Sequence, residues 1–194
     1  MSAPGPYRIL GVASLAVFVA GAGVGLYQAL SREGRPPPLT LVPRAAVRDL
    51  LERQDYARAA RELEAMVRMN PDAWDLRALL GYVLSRLDRR DEAVAQYRAA
   101  LDAVPDHREL RARLVVDLAD SERFDEAIPH LRELLRLAPG DPDVHNSLGV
   151  ALERSGDPEG ALAHYESALR LDPAHRAAAE NRARVRGEAR SEAK

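Results

Sequence analysis

The sequence predicts an all-α protein: a solenoid of about four helix pairs, closed by a C-terminal capping helix and preceded by one N-terminal transmembrane helix. Three observations carry this. Four prolines, Pro71, Pro105, Pro139 and Pro173, and four alanines, Ala59, Ala93, Ala127 and Ala161, each recur every 34 residues, and a fixed period of that length marks stacked units that bury their apolar faces on one another. Within each period apolar residues fall three and four apart, the spacing of an amphipathic helix. Ahead of the repeats, residues 9–30 run 22 residues without a charge, long enough to cross a hydrocarbon core of about 30 Å.

After a short tail over residues 1–8, the stretch 9–30 reads as a signal anchor. Arg8 and Arg32 bound it, and Tyr7 and Tyr27 stand near its ends, where amphipathic rings favour the membrane interface. A cleaved secretory signal is the competing reading, with residues 9–19 as its apolar core and Ala20-Gly21-Ala22 as a small-residue cleavage site. The apolar stretch continues past that site, which favours the anchor. Within it, Ser14, Gly21, Gly25 and Gln28 fall on one face. The Gly21/Gly25 pair would admit another helix backbone, and the hydroxyl and amide could hydrogen-bond across the contact. Residues 31–42 form a spacer whose Arg35-Pro36-Pro37-Pro38 run predicts extended polyproline.

Residues 43–173 divide at the prolines into four repeats, 43–71, 72–105, 106–139 and 140–173. In the second, residues 74–87 carry Leu76, Leu79, Leu80, Val83, Leu84 and Leu87, and residues 91–104 carry Ala93, Val94, Tyr97, Ala100 and Leu101, giving two helices. Asp88-Arg89-Arg90 is the turn between them, and Pro105 stops the second because proline has no donor for the preceding turn. Leu50, Leu84, Leu118 and Leu152 form a further 34-residue column. Pro129, inside the third repeat's second helix, predicts a local bend unless it lies early enough for its donor to be free. Residues 174–194 complete the chain: 176–186 predict a capping helix with Ala177, Ala178, Ala179, Ala183 and Val185 among charges, and the basic tail from Gly187 predicts fraying.

The residues Leu80-Gly81, Ala93, Tyr97, Ala100 and Pro105, repeated as Leu148-Gly149, Ala161, Tyr165, Ala168 and Pro173, resemble the tetratricopeptide repeat (TPR) family. The other two copies depart from the pattern. In the third, Val115 and Leu134 occupy a glycine and an alanine column, which predicts helices set slightly further apart; in the first, Ala46-Val47, Leu63 and Met66 replace the expected residues. The resemblance implies a right-handed superhelix whose first helices line a concave groove. On that basis the candidate groove residues are Arg44, Arg48, Asp75, Ala78, Tyr82, Ser85, Glu109, Ala112, Val116, Asn146 and Val150. Tyr82 offers an apolar face with a polar tip, and Arg44 and Arg48 could hold carboxylates. The Lys/Asn clamp by which some members hold acidic chaperone C-termini is not reproduced, since Glu109 and Asp143 carry the wrong sign.

Net charge is −2 overall, but residues 36–175 hold 19 basic and 26 acidic residues, an excess that disfavours nucleic acid and anionic lipid as partners. Of the basic residues, 27 are arginine, a bias that points to a GC-rich bacterial genome. Zero cysteine removes disulfide, thiolate–metal and cysteine-nucleophile chemistry. His107, His130, His145, His164 and His175 show no metal-ligand pairing on a shared helix face, and no phosphate loop is present. No catalytic residue, metal or cofactor is therefore expected. The expectation is a non-enzymatic protein of the bacterial inner membrane that binds a protein partner through the groove as a scaffold or adaptor; the alternative is a permanent subunit of a membrane complex held by its transmembrane helix. A short N-terminal tail inside the cell would place the repeats in the periplasm, whereas Arg32, Arg35, Arg44 and Arg48 behind the span argue for the cytoplasm.

Overall fold

The computed structural model describes residues 45–192, with side chains described as far as Gly187. Nine helices follow one another among the described residues: α1 (Ala45–Glu52), α2 (Tyr56–Met69), α3 (Trp74–Arg86), α4 (Arg90–Ala103), α5 (Arg108–Asp120), α6 (Phe124–Leu137), α7 (Pro142–Arg154), α8 (Pro158–Leu171) and α9 (Arg176–Glu192). They form four antiparallel pairs with α9 closing the row, and each helix packs chiefly on its neighbours in the chain. That is the linear contact pattern of a solenoid. The stretch 9–30, with Ser14, Gly21, Gly25 and Gln28, and Arg44 lie outside the described residues. Among those described, no helix is long and apolar enough to cross a membrane.

The periodic columns are the core. Ala59, Ala93, Ala127 and Ala161 are fully buried, and the adjoining large column, Leu63, Tyr97, Leu131 and Tyr165, is buried to the same degree. Small and large residues must alternate here because a native core has no spare volume. A Cβ on Gly149 would stand 2.5 Å from Tyr165 Cε1, so the ring occupies the volume that any larger residue would need. In the third copy Val115 and Leu134, at the glycine and alanine columns, are both fully buried between the paired helices.

Each first helix ends the same way. Gln54, Asp88 and Glu122 have φ near +60°, and Gly156 follows at φ 87°, one residue per period. The next amide in each case bonds back to the leucine column: Asp55 to Leu50 O at 2.8 Å, Arg89 to Leu84 O at 3.0 Å, Arg123 to Leu118 O at 2.9 Å and Asp157 to Leu152 O at 2.8 Å. This left-handed C-terminal motif satisfies carbonyls that a helix end otherwise leaves bare. Only the fourth copy uses glycine, which adopts that conformation without steric cost.

Helix starts are capped by varied chemistry. Asp55, Asp141 and Asp157 accept backbone N–H groups at α2, α7 and α8. His107 Nδ1 accepts from Leu110 N at 3.2 Å, and His175 Nδ1 from Ala178 N at 3.1 Å. α6 runs unbroken through Pro129, which is exposed. As the sixth residue of the helix it lies beyond the first-turn positions whose donors are free. α9 continues past Gly187 to Glu192 where the sequence predicts fraying; Glu188, Ala189, Arg190 and Glu192 are good helix formers, and their summed propensity carries the helix across one glycine.

Candidate binding face

The first helices, α1, α3, α5, α7 and α9, form one face of the row, with side chains meeting between α3 and α5 and between α7 and α9. Helical spacing projects one residue in three or four from each helix onto it. Arg48 and Glu109 are exposed there, and Asp75, Tyr82, Ser85, Ala112 and Val116 are half-buried. Ala78, Asn146 and Val150 are only 1–2% exposed, so they present no area to a ligand.

The α3–α5 half centres on Tyr82. Its ring lies edge-on to Tyr56, with centroids 6.5 Å apart, and the Arg113 guanidinium stands 5.3 Å from its centroid. Arg113 is also bonded to Glu109 Oε1 at 3.0 Å. Burial, followed by the Tyr56 hydroxyl, raises the pKa of the Tyr82 phenol above its ordinary value. Tyr82 also packs against the core cluster, so it is a shared residue of core and surface rather than a side chain pointing away from both.

One helical turn on, the Ser85 hydroxyl donates to Asp117 Oδ1 at 2.6 Å. Asp117 is 2% exposed. Burial pushes its carboxyl up to about 6 against the lowering effect of Ser85, and Asp120 adds to the rise while Arg90 and Arg113 oppose it. Asp117 and Arg113 are absent from the sequence-predicted face. Arg113 was discoverable as the partner of Glu109 four residues before it; Asp117 sits one turn beyond Arg113 and gave no such signal.

The α7 half is covered by α9. Asn181 Nδ2 donates to Asn146 Oδ1 at 3.1 Å, His175 Nε2 meets Asp143 Oδ1 at 3.1 Å, and Arg184 pairs with Glu153, which also accepts from the Tyr165 hydroxyl at 2.7 Å. Both asparagines are 5% exposed or less, and the amide pair satisfies groups whose burial unpaired would be costly.

Two further columns clasp neighbouring helices. Where the Arg86 guanidinium lies 5.4 Å from the Tyr56 ring centre and that of Arg154 4.9 Å from the Phe124 ring centre, the intervening pair is Arg90 with Asp120, Nε to Oδ2 3.8 Å. In the middle copy the cation has changed sides and an acid has replaced it. A second column joins each pair to the loop before it. Arg77 bonds the Pro71 carbonyl at 2.8 Å and Gln96 at 3.2 Å; Arg111 bonds the Pro105 carbonyl and His130 Nδ1, the latter at 3.1 Å. In the fourth copy His145 Nε2 is 3.2 Å from the Pro139 carbonyl and its Nδ1 is 3.1 Å from His164 Nδ1. Burial first, then Arg111 beside His130 and His145 beside His164, lowers the affinity of these two rings for a proton. Among the described residues no group of three or more His, Asp or Glu could hold a metal ion.

Several solved structures share this architecture. MamA from Desulfovibrio magneticus RS-1 (residues 41 to the end) superposes with TM-score 0.61 at 23% identity, covering 76% of this chain and 93% of that one. MamA of AMB-1 matches at TM-score 0.62 and 29% identity over 66% of this chain and 70% of its own. YrrB, described as a TPR protein with an unusual peptide-binding site, matches at TM-score 0.62 and 24% identity over 70% of each chain. No curated protein matches the sequence. The sequence profile of the tetratricopeptide repeat matches residues 44–110, 112–176 and 153–186. With that profile spanning most of the chain, and with helix pairs built on its alanine, glycine–tyrosine and proline columns, the chain belongs to the tetratricopeptide repeat family.

Proposed function

We propose that this protein is a non-enzymatic, membrane-anchored scaffold or adaptor that binds a segment of a protein partner on the α1–α3–α5 face. The observation that carries the reading is the composition of that face. Arg48, Asp75, Tyr82, Glu109, Ala112 and Val116 remain at least partly exposed on a rigid row of helices, while α9 covers the corresponding part of α7. An amphipathic aromatic flanked by small residues and fixed charges suits an extended or helical peptide. The peptide-binding description of YrrB supports the same use of the fold. The charge-free stretch 9–30 supports anchoring in the bacterial inner membrane, and assembly of an envelope complex fits an anchored adaptor. In this reading the solenoid lies on the periplasmic side, since long domains cross the membrane largely regardless of charge.

The Gly21/Gly25 pair on one side of residues 9–30 favours a second reading, a permanent subunit held in a membrane complex by helix packing. Affinity capture of the full-length chain from mild detergent separates the two. For the adaptor, Arg48→Glu and Ala112→Arg each weaken capture of the partner at least tenfold, about 1.4 kcal/mol, while the melting temperature holds. Full capture by both variants together with loss of capture in Gly21→Ile/Gly25→Ile overturns the face-binding reading in favour of the subunit.

A further inference from the structure

We propose that His145 and His164 form a bidentate site for a divalent transition-metal ion of the imidazole-binding kind, zinc(II) or copper(II), bridging α7 and α8. The two Nδ1 atoms face each other at 3.1 Å, with ring centroids 5.4 Å apart and planes inclined by 31°. With metal–nitrogen bonds of about 2.0–2.1 Å, that span subtends about 100° at an ion, between the angles of tetragonal and tetrahedral sites. Both side chains are only half-buried, so water and ions reach them.

The state of His145 follows from its second contact. Its Nε2 lies 3.2 Å from the Pro139 carbonyl oxygen, which can only accept, so the ring proton sits on Nε2 and Nδ1 offers a bare lone pair towards His164. A backbone carbonyl on the remote ring nitrogen is also the usual orienting contact of a metal-bound histidine. Without metal, His164 completes the pair as an Nδ1–H donor; with metal, its proton resides on Nε2 and the ion takes the place of the shared hydrogen. Two charged groups face the pair, Arg132 from α6 opposing a cation and Asp157 from the turn before α8 favouring one.

The other repeats provide an internal comparison. The same two columns hold Arg77 with Gln96 and Arg111 with His130. A guanidinium is a permanent cation with no lone pair to give, so those copies clasp the proline carbonyl but cannot ligate. The fourth copy keeps the clasp and replaces the cation by a ligand. With two protein nitrogens, the remaining coordination positions belong to water or to a group from outside the chain.

The native columns also supply the control variants. His145→Arg reproduces the Arg111–His130 pair, and His164→Gln introduces the residue found at position 96, so both replacements are ones these columns already accommodate. Tag-free full-length protein in mild detergent at pH 7.5 is titrated calorimetrically with zinc(II), and its copper(II) complex is read by electron paramagnetic resonance. One ion per chain is expected, with nitrogen couplings from two imidazoles; each variant weakens binding at least tenfold and removes one or both couplings, while His107→Gln and His130→Gln leave binding unchanged. Absence of stoichiometric binding, or binding of equal strength in His145→Arg, overturns the site.

Discussion

A Cβ added to Gly81 would lie 2.7 Å from Cε1 of Tyr97, so the first helix of the second repeat carries glycine because the second helix carries tyrosine. The first and third repeats fill the same two columns differently, with Val47 and Leu63, and with Val115 and Leu131, all buried to 1% or less. Volume moves from one helix to the other while the pair remains filled, as close packing requires. Gly81→Val should therefore destabilise the solenoid by about 1–3 kcal/mol, and adding Tyr97→Leu should recover much of that loss. Additive effects in a double-mutant cycle by denaturant unfolding would disprove the coupling.

Overpacking should also be felt where a column is invariant. Ala127 is fully buried, and Ala127→Leu should cost about 1–3 kcal/mol. A melting temperature equal to that of the parent would contradict its tight packing.

The left-handed column offers gains in stability. Glu122 adopts φ 57°, a conformation costing a side-chain-bearing residue about 1–2 kcal/mol, and glycine recovers that less its larger chain entropy. Glu122→Gly should raise the stability by roughly 0.5 kcal/mol, whereas Gly156→Val, at φ 87°, should lower it. Paired thermal melts decide both signs.

Asp117 makes stability depend on pH. Its carboxyl is raised in the folded chain, mainly by burial, to about 6 from an ordinary 3.8, so between those values the folded state holds the extra proton. Its contribution to stability is complete below about 3.8 and is lost as pH rises through about 6. Asp117→Asn keeps an oxygen for the Ser85 hydroxyl and carries no charge. The variant should gain on the parent by about 1–3 kcal/mol between pH 4 and pH 7. A constant difference across that range would show that the carboxylate is not desolvated.

At the C-terminal end, Asn181→Ala removes the donor to Asn146 Oδ1 and leaves a buried acceptor unpaired, a loss of about 1–3 kcal/mol. The effect should appear first as faster amide exchange in α9, because a terminal repeat element can open without the rest. Uniform acceleration along the whole solenoid would instead mean that α9 unfolds with it.

The period, the helix pairs and the buried columns were legible in the sequence because each rests on local spacing and on volume, and both recur every 34 residues. A residue such as Ala93 or Leu84 reports its own burial by its place in the pattern. The exposure of Arg48 and Glu109 on the first helices agrees with their helical phase. What escaped were partnerships whose two halves lie in different repeats and differ in chemistry from copy to copy. Arg86 over Tyr56, Arg90 against Asp120 and Arg154 over Phe124 occupy the same two columns, yet no shared residue type announces them. Likewise the sequence placed Asn146 on an open face; only the tertiary structure brought Asn181 of α9 against it, because the burial of a helix face depends on which helix packs beside it. Sequence periodicity determines which way each side chain points along its own helix, whereas packing between helices decides what it meets there, and that second choice raised the proton affinity of Asp117, paired His145 with His164 and set how much of the first-helix face stays exposed.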